Sequence, residues 1–118
     1  MKNLQNNFTT PEQSKRLLEL GVPADSADFY YDKDEVEIDE ITHPYILPFN
    51  RKFSNYNDMF YLPCWSVGRL MEICKICEPK KYYEELCEEL QYSQNYCVVI
   101  ISHIIANLPI IDFSKLDD

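Results

Sequence analysis

Glycine is nearly missing from this chain: Gly21 and Gly68 are the two in 118 residues. Neither stands in a glycine-rich phosphate loop, which removes that route to nucleotide binding. Long apolar runs are missing as well. The longest, Cys97 to Ile101 and then Ile104 to Ala106, is broken by Ser102 and His103, whereas a membrane-crossing helix needs about 20 predominantly apolar residues. No membrane partner is therefore expected. Met1 to Asn7 is polar and has no apolar secretory core, which leads to the expectation of a cytoplasmic location. Basic residues are scarce: 11 Lys and Arg against 20 Asp and Glu leave a formal charge of −9 and a pI near 4.6. Such a field repels nucleic-acid phosphates and anionic membranes, and it argues against direct nucleic-acid binding. Neither an internal repeat nor a linker breaks the sequence, so one compact domain spanning 1–118 with polar N-terminal and C-terminal tails is expected.

What is present is packing material. The chain is 46% hydrophobic, with nine tyrosines, six phenylalanines and one tryptophan, and a chain of this length buries roughly two thirds of its unfolded surface without staples. Tyrosine can bury its ring and keep its hydroxyl wet. Aromatic surface of this kind makes self-association, as a homodimer, an expectation. The five cysteines are an odd number and fit a reducing compartment better than a disulfide framework.

The local signals predict an α+β fold: about four helices, with a small sheet or hairpins in the acidic first half. Thr10 is an N-cap, Pro11 occupies the first helical position and Gln13 completes a capping box, so a helix is predicted from Pro11 to Leu20. Gly21 can end it in the left-handed conformation and Pro23 prevents its resumption. Ala24 to Asp28 reads as a tight turn or a single helical turn, and Phe29 to Tyr31 as a short strand. Glu35, Glu37 and Asp39 alternate with Val36 and Ile38, the pattern of a half-exposed strand. Tyr45 to Phe49 and Met59 to Leu62 suggest further short strands, the second ending at Pro63. Ser66 can cap a helix whose apolar positions include Val67, Leu70, Ile73, Cys74 and Cys77, with its exit at Glu78 and Pro79. A helix over Tyr82 to Leu90 presents Glu84, Glu85, Glu88 and Glu89 on its outer side. The last segment, Asn95 to Leu108, is read as a helix because Cys97, Ile100, Ile101, Ile104, Ile105 and Leu108 recur every three or four residues. The β-branched run Val98 to Ile101 offers a competing strand.

Two blocks, FTTPEQSKRLLELGVPADSAD from Phe8 to Asp28 and PCWSVGRLMEI from Pro63 to Ile73, together with the ending DFSKLD from Asp112 to Asp117, cover about a third of the chain. They resemble the signature blocks of a family of small uncharacterised proteins from gut Bacteroides-type bacteria, often encoded in phage-like or mobile regions. The resemblance implies a bacterial or phage setting and a cytoplasmic product, and it carries over no catalytic residue, cofactor or reaction.

Chemistry-bearing clusters are few. Cys74 and Cys77 have the spacing of a zinc hairpin or redox pair, and Cys64, Cys87, Cys97 or His103 could complete four ligands. Their place inside an amphipathic helix favours core packing instead, so neither metal nor other cofactor is expected. Asp32 and Asp34 begin like a calcium loop, but Val36, Glu37 and His43 stand where a polar ligand, a glycine and a glutamate are needed. The acidic run, including Glu35, Glu37 and Asp39, reads as solvated surface or as a partner-binding face. Trp65 is expected to anchor a helix start that Ser66 caps, with Arg69 pointing outward one turn later. His103 is expected to be structural, and His43 more exposed.

The leading expectation is a noncatalytic interaction or accessory protein acting on a bacterial or phage protein through an acidic or aromatic face. Nucleic-acid charge mimicry is one version of it. The alternative is a small enzyme or anion-binding domain with a pocket near Trp65 and Arg69, using His43 or His103.

Overall fold

The structure, a computed structural model, describes residues 7–37, 44–46 and 61–116. Among them are five α-helices and a three-stranded antiparallel sheet, an α+β fold. Helix α1, Pro11–Glu19, begins as its capping box dictates: the Thr10 hydroxyl accepts from the Gln13 amide at 3.1 Å, and the Thr10 amide donates to the Gln13 side chain at 2.9 Å. Leu20 caps its end, and Gly21 follows at φ 101°, a conformation that penalises any Cβ. The turn Ala24–Ser26 leads into β1, Phe29–Asp32.

After β1 the sequence expectation of a strand through Glu35 and Glu37 is corrected. Lys33–Glu37 is a short helix, α2. The Asp32 carboxylate accepts from the Asp34 amide at 2.9 Å and so caps it, while Asp34 and Glu35 lie in its first turn, where the helix dipole favours negative charge. The alternating pattern misleads because the capping chemistry of Asp32 outweighs it. Asp39 and His43 lie outside the described residues.

Strand β2, Tyr45–Ile46, falls on the predicted edge strand, of which 47–49 lie outside the described residues. Strand β3, Tyr61–Cys64, runs two residues past its expected end and through Pro63. The sheet order β2-β1-β3 explains this: β3 has β1 on one side only within this sheet, and an edge strand tolerates proline's missing N–H. The register sets Phe29 opposite Ile46 and Cys64, and Asp32 opposite Tyr61.

Helices α3 (Val67–Cys77), α4 (Lys80–Leu90) and α5 (Tyr96–Asn107) complete the fold. The β-branched run thus adopts the helix, with Asn95 as its N-cap accepting from the Val98 amide at 3.4 Å. Periodicity decides it: Cys97, Ile100, Ile101 and Ile104 all bury along one face. Ile100, Ile101 and Ile104 meet Leu17 and Val22 from the N-terminal part, Trp65, and Leu70, Ile73, Cys74 and Cys77 of α3 in one apolar cluster. A smaller cluster of Tyr31, Leu62 and Cys64 forms on the sheet, covered by Phe8, Leu18, Phe29 and Val36. No described helix is long and apolar enough to cross a membrane.

Candidate functional site

The most densely bonded polar cluster surrounds the start of α3. Trp65 is fully buried, and its indole N–H donates to the Ser26 hydroxyl at 3.0 Å. Its own amide donates to the buried Thr9 hydroxyl at 3.1 Å. Ser66 caps α3 by accepting from the Arg69 amide at 3.1 Å. Asp28 accepts from both the Ser66 amide, at 2.9 Å, and the Ser66 hydroxyl, at 2.6 Å. The positive end of α3 therefore faces a carboxylate supplied by the chain itself. Replacing Ser66 with alanine removes the cap and the hydroxyl's bond to Asp28 and leaves the amide's; a loss of about 1–2 kcal/mol is expected, read from the urea midpoint.

Arg69 does not simply point outward, as the sequence suggested. Its side chain is 27% exposed, its Nε donates to the Ser26 carbonyl at 2.6 Å, and Nη1 pairs with Glu72 one turn on. Asp28, Ser66, Gly68, Arg69 and Glu72 frame an open depression. Trp65 is sealed beneath rather than presented to a ligand, and two carboxylates accompany the single guanidinium.

A second cluster escaped the sequence reading. Glu78, the residue after α3, has a side chain that is 0% exposed, and His103 on α5 is 7% exposed. His103 Nε2 lies 2.8 and 2.9 Å from the two carboxylate oxygens. The Asn107 amide nitrogen stands 3.3 Å from His103 Nδ1 and donates to the His103 carbonyl at 3.0 Å. Burial pushes the Glu78 carboxyl above its usual range, opposed by the hydrogen bond and charge of His103 and reinforced by Glu85. The available signal was a lone imidazole on an apolar helix, which demands a buried partner.

The remaining residues stay apart from these clusters. Glu35 accepts from the Tyr45 hydroxyl at 2.9 and 3.1 Å, which pushes that phenol up. Glu37 closes α2. Cys74 and Cys77 lie buried in the core, and desolvation pushes their thiols up to about 12 and about 11. Cys64 likewise rises to about 12 by burial, partly offset by hydrogen bonds with Thr9 and Tyr31. This is the reverse of what a nucleophilic or redox thiol requires. Among the described residues no group of three or more His, Cys, Asp or Glu side chains is placed to hold a metal.

The outer surface differs in kind. On α5, Val98 and Ile105 are 45% and 43% exposed, and Ser102 between them is exposed as well. Their spacing of four and three residues places them on one side of the helix. Val98, Ile101 and Ser102 meet Glu12, Gln13 and Arg16 of α1 along a shallow, mostly apolar groove of about 260 Å³. On α4, Glu85, Glu88 and Glu89 surround Tyr92, whose ring is 85% exposed. Comparison of the chain with protein-family models, with curated proteins and with solved structures finds no match.

Proposed function

We propose that this is a noncatalytic protein-interaction domain that meets its partner through the exposed side of α5, with the acidic and aromatic surface at α4 as a further contact face. The observation that carries the reading is the Val98–Ser102–Ile105 stripe: two apolar side chains aligned with a serine on one helix side and left outside the core that the opposite side of α5 fills. Aligned apolar exposure is the mark of a contact surface, whereas scattered exposure is ordinary. Glu85, Glu88 and Glu89 line a separate acidic surface that favours a basic partner. The resemblance of the Phe8–Asp28 and Pro63–Ile73 blocks supports a bacterial or phage protein as that partner, with the domain working as a cytoplasmic accessory factor. A homodimer through the same stripe is the variant that the aromatic content favours.

The test uses partners captured by crosslinking and then purified. Val98→Asp with Ile105→Asp is expected to leave the denaturation midpoint within about 0.5 kcal/mol of wild type, the usual range for surface changes, and to weaken binding at least tenfold. Unchanged binding in this variant and in a Glu85→Lys, Glu88→Lys, Glu89→Lys variant would remove the basis of the reading. Sedimentation of the same proteins reads out the dimer.

A second reading, a ligand-binding domain at Arg69, is favoured by the open depression beside it. Its two carboxylates to one guanidinium turn that depression away from anions.

A further inference from the structure

The cluster of Glu78, His103 and Asn107 lies where three segments meet. Glu78 is the exit of α3, His103 sits one turn before the end of α5, and Asn107 is the last residue of α5 before the turn Leu108–Ile110. The Asp112 amide donates to the Cys77 carbonyl at 2.8 Å, immediately beside Glu78. The following turn, Phe113–Leu116, packs back against α3. The buried polar cluster therefore joins the end of α3 to the end of α5, and the C-terminal segment bonds α3 at the residue just before Glu78.

Asn107 donates to the His103 carbonyl, which fixes which end of its amide is nitrogen and turns an N–H toward Nδ1. Nε2 lies against both oxygens of the Glu78 carboxylate. Burial makes that carboxylate costly to ionise, and the hydrogen bond and charge of His103 offset the cost only in part. Glu85 of α4 adds like charge, Cys74 and Cys77 of α3 are neutral thiols, and Asp112, Lys115 and Arg69 act on the neighbouring Cys77.

We propose that proton binding at the Glu78–His103 cluster sets how firmly the C-terminal segment Leu108–Leu116 docks on α3, more tightly as pH falls and more loosely as it rises. No residue of that segment is fully buried, so it is the part of the junction that opens at least cost when the carboxylate takes up water. The sign follows from burial. Docked Glu78 holds its proton above the usual carboxylate range, so the docked state binds the proton more tightly than the opened state. The stabilisation is complete below the ordinary glutamate range and is lost as pH rises through the docked value.

Amide hydrogen exchange on the full chain between pH 5 and pH 8, corrected for intrinsic rates, tests this at the Asp112 N–H. Protection there is expected to fall with rising pH, by about tenfold for each pKa unit separating docked and opened states. The Leu20 amide, bonded to the Arg16 carbonyl in α1, should show no such change. Glu78→Gln keeps an acceptor for Nε2–H without the charge, and its Asp112 protection is expected to be independent of pH. Flat protection in the wild type overturns the proposal, as does a pH dependence that survives in Glu78→Gln. Parallel loss at Leu20 overturns it too, because the titration would then act on the whole fold. Should the variant fail to fold, a carbon-13 titration of the wild-type Glu78 carboxyl decides: a midpoint in the ordinary glutamate range sinks the proposal.

Discussion

Trp65→Ala is expected to lose about 3–5 kcal/mol from cavity and transfer terms together, a large share of a total stability on the order of 5–15 kcal/mol. The ring is the largest of the fully buried side chains. It bridges the turn Ala24–Ser26, the start of α3 and the main core cluster. Its removal also leaves the Ser26 hydroxyl without its indole donor. Trp65→Phe should recover part of the loss, since it keeps most of the apolar volume and gives up the 3.0 Å hydrogen bond. Urea denaturation followed by circular dichroism measures both. A Trp65→Ala midpoint within experimental error of wild type would mean that the ring does not carry the core.

Breaking the buried ion pair should cost nearly as much. Glu78→Ala strands an imidazole that is 7% exposed, and His103→Ala strands a carboxylate that is 0% exposed. Each is expected to lose about 3–5 kcal/mol, the range for removing one partner of a buried pair. The combined Glu78→Met, His103→Leu protein is expected to be more stable than either single alanine variant, because apolar replacements of similar volume escape the desolvation cost that the pair carries. A double-mutant cycle with Glu78→Ala and His103→Ala reads out the coupling. Additive losses would show that the two side chains act independently.

Local chemistry was legible in the sequence where it is completed within one helical turn. Thr10 with Gln13 and Ser66 with Arg69 are caps closed over three residues, and the apolar period of α5 outweighed its β-branched composition. Position 33 onward failed for a competing local reason: the Asp32 cap overrides an alternation of acidic and apolar residues. The candidate sites failed because their partners are remote. Ser26 accepts from Trp65 across 39 residues, Asp28 from Ser66 across 38, and Glu78 meets His103 across 25. No spacing rule joins such pairs, and Arg69 looked free because its acceptor is a backbone carbonyl of a distant turn. The surface stripe on α5 was half legible. Ile105 was assigned to the inward face, but the helix turns that face toward Cys97, Ile100 and Ile104 and leaves Ile105 outside.

The pairing of Asp32 with Tyr61, together with the hold of Asp28 on Ser66, brings the two ends of the 33–60 excursion to a single point. Closing such a loop costs free energy that grows only logarithmically, about 0.6 kcal/mol per doubling of length. The cost of spanning the distance in sequence between Asp32 and Tyr61 is therefore modest, and the contacts of α2 and β2 with β1 oppose it, while the tryptophan seat of the helical half is fastened apart from them.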